Sequence, residues 1–375
     1  MCAKKIVPTA GLSIGYFPGL DVLRFICATG VIFHHTAKQL FERGLIASSV
    51  ASQILAGPFF LNVFFIISGF LISAILMKEN ESGKYNLKNF YLRRIIRIWP
   101  LYFFIVLVLI VLVPLLKHSP SEIIKTNAFY ALGFSVNFQL MINETAKTYS
   151  VLWSVCIEEH IYLLLPFLLF VFRKNFKILS LFLIFLGLAS WFYFSYLHSS
   201  GRGFAPYFNC LCYFYYFGLG MFLALFHSQI ASIKLKSLFS IPGQLVICSL
   251  LVLYVFSFLP GGVYAFPVWL LLCGFFGAYV VAAASRTNFI FKLPLVPSRF
   301  TGNISYAMYL VHTVIINVLI NYLLKKNIHP EGAAVVLWIP LIATLFSIVI
   351  ATLLYYLYER PFLKLKKKFS SVANK

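Results

Sequence analysis

Apolar stretches alternate with short polar connections along the whole chain, at about 20–39, 57–77, 98–116, 123–141, 149–172, 176–198, 205–227, 241–259, 264–285, 303–324 and 333–358. Most approach the roughly 20 residues that an α-helix needs to cross a hydrocarbon core. The pattern predicts an all-α, polytopic membrane helical bundle, and loop charges decide which stretches span. Lys84, Lys88, Arg93, Arg94 and Arg97 make the second connection basic and assign it, with the N-terminus, to the cytoplasm. If 123–141 also crossed, Arg173, Lys174 and Lys177 would lie outside. Treated as non-spanning, it lets Lys234/Lys236, Arg286/Lys292/Arg299 and Lys364 to Lys368 fall inside, with Lys325/Lys326 as the exception. The expectation is therefore about ten transmembrane helices with both termini cytoplasmic and one non-spanning or re-entrant segment near 123–141. Asn127, Asn137 and Gln139 in that segment predict partial exposure.

Composition agrees. The 375 residues are 61% hydrophobic and 11% charged, with mean hydropathy +0.90, which excludes an ordinary soluble domain. Met1 to Gly19 carries Lys4 and Lys5 but no apolar core followed by a cleavage site, so the first helix reads as an uncleaved anchor in the cell (inner or plasma) membrane. No internal repeat appears. The expected organisation is a single integral membrane domain over 1–375, ending in a short basic cytoplasmic tail at 362–375, with no fused extracytoplasmic domain. The excess of 31 basic over 10 acidic residues fits positive-inside topology and a cationic inner face that attracts anionic headgroups and polyanionic cofactors. Membrane lipids, not nucleic acid, are the partners it predicts. Six of the seven cysteines sit in apolar stretches without zinc spacing, so neither a disulfide framework nor a metal is expected.

Against this background the polar residues inside apolar stretches carry the chemistry. Arg24 and His35, eleven residues apart, return to within roughly 20° of one helix face, about 16 Å apart along the axis. A charge or bare imidazole in hydrocarbon must point into the protein or a wet cavity. His35 has the pKa range of a general base; His34, facing elsewhere, is its internal control. Glu158 and Glu159 lie together inside the fifth stretch, and their directions diverge by about 100°, so at most one aims at a given site. Tyr162 shares the Glu158 face. A carboxylate here either orients an imidazole or makes an interhelical hydrogen bond.

Arg93, Arg94 and Arg97 would form a cationic cluster on a helical turn. Two readings stand, phosphate binding by guanidinium forks and topology alone. Ser305, Tyr309 and His312 make one polar stripe, read either as a substrate-facing row or as packing glue. Ser68 and Gly69 are a small pair that allows close helix approach, with packing the favoured role for Ser68.

Together these segments resemble the acyltransferase 3 family of membrane-bound O-acyltransferases, which modify bacterial envelope glycans and related acceptors. The resemblance rests on LDVLRFICATGVIFHH with its Arg24 to His35 spacing, FFIISGFLIS, RRIIRIWPLYF, WSVCIEEHIYLLLP, ISYAMYLVH and YERP at Tyr358 to Pro361, in the family's order. It implies acetyl-CoA as acyl donor from the cytoplasm and a carbohydrate hydroxyl as acceptor, such as lipopolysaccharide. It also implies His35 as catalytic residue with Arg24 as motif partner, Arg94 and Arg97 at the donor, and Glu158 as the first glutamate of its stretch. His160 stands where the family usually has Gln.

The expected function is acyl-CoA-dependent O-acetylation of a cell-envelope polysaccharide or lipid-linked glycan, with Glu158 supporting His35. A separate extracytoplasmic transfer partner is an open expectation. The competing reading is a proton-coupled transporter or flippase using His35, Glu158 and His312 as a relay; missing repeat symmetry argues against it. A topology reporter fused at residue 145 is expected to read extracytoplasmic. A cytoplasmic signal there would overturn the helix count.

Overall fold

The computed structural model describes residues 16–46, 57–116, 118–142, 149–201, 206–227, 238–257, 265–286, 290, 294–328, 337–365 and 369, with side chains excepted at 251–257 and 265–267. Lys4, Lys5, residue 145, Lys234, Lys236, Lys292 and Lys366 to Lys368, on which part of the topology and tail expectations rest, lie outside the described residues. So does Cys2.

Among the described residues the fold is helical, without a strand. The helices are α1 (Pro18–Glu42), α2 (Gly57–Glu81), α3 (Leu87–Leu116), α4 (Ser121–Leu132), α5 (Val136–Ile142), α6 (Leu152–Val171), α7 (Phe176–Ser199), α8 (Cys210–Leu225), α9 (Ile241–Ser257), α10 (Ala265–Ala284), α11 (Leu295–Lys325) and α12 (Ile339–Leu365). Six of them, α2, α3, α6, α7, α11 and α12, are long and apolar enough to cross a membrane. Helix α1 has the length, 25 residues, but carries Asp21, Arg24, Lys38 and Glu42.

Outward faces confirm the solvent for which the bundle is built. On α6, Leu163, Phe167 and Phe170 form a stripe 65%, 62% and 81% exposed. Comparable apolar faces run along α7 and α12. Surfaces of this kind mark a membrane or partner contact, and around a bundle of spanning length they face lipid.

Helix α2 is hydrophobic all round and buried on nearly all sides, the signature of a central helix. It packs against α8, α1 and α10. Its crossing with α8 depends on two glycines. A Cβ on Gly69 would stand 2.2 Å from the Phe217 carbonyl oxygen, and one on Gly220 would stand 2.1 Å from that of Ile66. Helices approach this closely in lipid only where both lack side chains.

Two expected boundaries shift. The stretch read as beginning at 98 is the second half of α3, which starts at Leu87 behind an Asn86 cap whose side chain accepts from the Asn89 amide at 3.0 Å. The arginines therefore lie within a helix and not in a loop. The stretch 123–141 divides into α4 and α5 at Gly133 and Phe134, the latter at φ 52°. At 1.5 Å per residue neither piece can cross a hydrocarbon core.

Asn127 is half-buried as expected, but the expected exposure of the other two polar residues is corrected. Asn137 and Gln139 are buried, because Gln139 donates to Asn127 at 2.9 Å and accepts from Tyr149 at 3.2 Å, while Asn137 donates to the Phe208 carbonyl. Their amides bond to other parts of the protein instead of meeting water.

Replacing Gly220 by Val is expected to cost about 1–3 kcal/mol or more by overpacking the α2–α8 crossing. It should lower the thermal midpoint in detergent, whereas Gly133→Ala, whose Cβ meets nothing nearer than 3.3 Å, should leave it near wild type.

Candidate active site

Five helices converge on one cavity of about 760 Å³, counting the space at its mouth. Its wall comes from Arg24 of α1; Ser68, Phe64 and Phe65 of α2; Arg94 and Arg97 of α3; Ser154, Glu158 and Tyr162 of α6; and Ser305, Tyr306 and Tyr309 of α11. Ser154, Glu158 and Tyr162 follow one another at i, i+4 and i+8, so a single face of α6 supplies three polar groups. The next residue diverges as expected: Glu159 points to the other side, where its carboxylate accepts from the Trp99 indole at 3.1 Å.

Glu158 is the hub. Its Oε1 accepts from the Ser68 hydroxyl at 2.5 Å and from the Tyr162 hydroxyl, and those two hydroxyls also touch. It acts electrostatically on Arg24 and Arg94, and the Arg94 guanidinium lies 5.6 Å from the centre of the Tyr162 ring. Arg24 has a second carboxylate nearby, Asp21, at 3.9 Å. The cavity wall itself holds three guanidinium groups and one carboxylate. Such an excess of forked cations in a confined space favours a polyanionic guest.

The structure brings together eight of the residues singled out in the sequence: Arg24, Ser68, Arg94, Arg97, Glu158, Tyr162, Ser305 and Tyr309. Three lie elsewhere. Arg93 leaves the cluster, because on a helix it projects to the opposite side of Arg97 from Arg94. There it forms a buried ion pair with Glu79 at 3.0 Å and donates to the Phe369 carbonyl. His35 is half-buried on α1, with ring contacts to His34 at 5.1 Å and His312 at 5.2 Å. His312 is fully buried one turn beyond Tyr309.

The expected support of His35 by Glu158 is therefore not what the hydrogen bonds show. Glu158 sits at the level of Arg24, and about 16 Å of helix rise separates that level from His35.

Ser68 carries more than packing, since its hydroxyl donates to Glu158 while its neighbour Gly69 makes the helix contact. Sequence reasoning did not pick out Ser154 or Tyr306. The signal for Ser154 was its four-residue spacing to Glu158. Tyr306 was hidden by adjacency to Ser305, yet its hydroxyl donates to the Ile98 carbonyl at 3.2 Å. Tyr358, in the closing YERP, does the same to Pro100 at 3.2 Å across a π-helical turn at Tyr355–Glu359, so two tyrosines fix α3 where the arginines project.

Among the described residues no His, Cys, Asp and Glu group is arranged to hold a metal, and the described cysteines are free thiols. Replacing Arg93 by Ala removes one partner of a buried ion pair and is expected to cost about 3–5 kcal/mol. The result should be a lowered thermal midpoint in detergent with the cavity's ligand affinity in the folded fraction unchanged.

Comparison with known proteins accounts for this arrangement. The acyltransferase domain profile of the acyltransferase 3 family matches residues 17–358. A Staphylococcus aureus (strain COL) protein named "Putative O-acetyltransferase" is 27% identical over 379 residues, covering 93% of this chain and 58% of its own length. The O-acetyltransferase OatA of Staphylococcus aureus is 30% identical over 181 residues, covering 45% of this chain and 28% of its own. An uncharacterized Haemophilus influenzae protein is 28% identical over 249 residues, covering 61% of this chain and 99% of its own. The chain thus spans 58% of the length of the first of these relatives. No solved structure gives a significant match. With nearly its whole length matched, and with Arg24, Arg94, Arg97 and Glu158 of the motifs lining one cavity, the chain belongs to the acyltransferase 3 family.

Proposed function

We propose that this protein is a membrane-bound O-acyltransferase that moves an acetyl group from acetyl-CoA to a hydroxyl of a carbohydrate acceptor, a cell-envelope polysaccharide or lipid-linked glycan. One observation carries the reading: Arg24, Arg94 and Arg97 share a cavity with a single wall carboxylate, Glu158. The names of the relatives support O-acetyl transfer.

In this account the donor phosphates dock on Arg94 and Arg97, and Glu158 with its two hydroxyl partners holds the guanidinium groups in place. A bare phosphate at that level could not react at His35, because the separation along α1 is about 16 Å. A donor with a long arm between its phosphates and its thioester can span it, and CoA is built that way.

At the far end His35 takes the proton of the acceptor hydroxyl as the oxygen attacks the thioester carbonyl. The tetrahedral adduct collapses with cleavage of the C–S bond, and the departing thiolate recovers the proton from the imidazolium. The acceptor is acylated directly, or the group passes to a separate extracytoplasmic partner. Ten spanning helices with cytoplasmic termini in the inner membrane would set the arginines toward the donor's side.

The test is transfer from labelled acetyl-CoA to candidate envelope glycans by purified protein. His35→Ala should abolish transfer and His34→Ala should largely spare it. Arg97→Ala should raise the donor KM roughly tenfold or more, the value of a charge-assisted contact, with insertion intact. Full activity of the His35 variant would reject the base assignment. Absence of transfer with proton-coupled uptake of a glycan precursor into vesicles would favour the transporter.

A further inference from the structure

Beside His35 stands a second imidazole whose hydrogen-bonding state the backbone dictates. His312 is fully buried on α11, and its Nδ1 lies 2.6 Å from the Tyr309 carbonyl oxygen. A carbonyl only accepts, so Nδ1 must carry the hydrogen. In the neutral ring Nε2 is then a lone-pair acceptor. That nitrogen is buried without a hydrogen-bond partner among the described residues. A buried polar atom left unsatisfied is costly, and an apolar helix such as α11 offers many cheaper side chains for this place.

The polar neighbour across the helix interface is His35, with ring centroids 5.2 Å apart and planes inclined at 42°. At that spacing a rotation of one ring brings a nitrogen of each into hydrogen-bond range. His34 stands as near to the His35 ring, at 5.1 Å, but as its chain neighbour on one helix and not across the interface. His34 lies on the same helix as His35 and fills the space at Gly57. The titratable groups acting on His35 are His34, His312 and Lys38, with no carboxylate among them. Glu158, the carboxylate the sequence suggested, is engaged by Ser68 and Tyr162.

We propose that His312 is the positioning residue for His35: its Nε2 accepts the N–H of the His35 nitrogen that faces it. That contact fixes the His35 tautomer and leaves the other nitrogen as a lone pair directed at the acceptor hydroxyl. The arrangement has the logic of a base held by a third group, with a neutral imidazole in place of the usual carboxylate. The inference rests on the reading of His35 as base.

When His35 takes the hydroxyl proton it becomes an imidazolium whose second N–H stays on His312. When the thiolate leaves, the same proton returns to sulfur and both rings recover their starting forms. His312 gains and loses nothing over the cycle.

Two variants and one spectrum test this. His312→Asn keeps an amide N–H near the Tyr309 carbonyl but has no atom at the Nε2 position, whereas His312→Gln carries its amide oxygen to about that reach. In the transfer assay with labelled acetyl-CoA, the Asn variant is expected to lose at least about tenfold in kcat with donor KM unchanged. The Gln variant should recover most of that loss.

Nitrogen-15 histidine spectra of the detergent-solubilised protein, assigned by the loss of one signal set in His35→Asn, should show a single His35 tautomer in wild type. A mixture should appear in the His312→Asn variant. Wild-type kcat in folded His312→Asn, or a tautomer mixture already present in wild type, would overturn the proposal. A fully active His35→Ala would instead overturn the base assignment itself, so the two failures are distinguishable.

Discussion

A carboxylate placed among guanidinium groups inside an apolar bundle can persist only if every polar atom finds its partner within the protein, because lipid supplies none. Glu158 meets that demand through Ser68, Tyr162 and the field of Arg24 and Arg94. The rest of the architecture serves this cluster. Gly69 and Gly220 let α8 press against α2, which holds Ser68 against α6. The hydroxyls of Tyr306 and Tyr358 fix α3 where its arginines project. The Glu79–Arg93 pair anchors the start of the same helix.

Polar groups in this bundle therefore divide by what they touch. Asn137, Gln139 and Arg93 bond to other parts of the protein, and nothing about their chemistry requires a substrate. Arg24, Arg94 and Arg97 face open space instead, with fewer carboxylates at the cavity wall than cations. His35 and His312 form a second polar centre farther along α1 and α11. One cavity rich in cations and one imidazole pair, separated along a helix, suit a reactant that is charged at one end and reactive at the other.

Much of this was legible in the sequence because its periodicities are rigid. Glu158 and Tyr162 meet because they are four residues apart on a helix, and Glu159 turns away because it is one residue apart. The non-spanning reading of 123–141 came from charge bookkeeping over distant loops, and α4 and α5 are each too short to span; the break between them at Phe134 was not foreseen. Interhelical register was not legible. Whether Glu158 lies level with Arg24 or with His35 depends on how far α6 slides along α1, which no local pattern records.

The same limit applies elsewhere. Arg93 and Arg94 are indistinguishable until Glu79 on α2 claims one of them. Asn137 and Gln139 looked solvent-facing because their partners, Phe208, Asn127 and Tyr149, are remote in sequence or hidden in the next loop. The pairing of His35 with His312 crosses 277 positions, and only the packing of α1 on α11 creates it.

One donor molecule must reach from the arginines to the imidazole if the protein works in this way. The most direct measurement is an experimental structure of the protein in lipid with a non-hydrolysable thioether analogue of acetyl-CoA. Phosphate density against Arg94 and Arg97, with the acyl carbonyl beside His35, is the predicted result. Phosphates bound away from the arginine cavity, or an acyl group that ends without approaching the His35 ring, would contradict it.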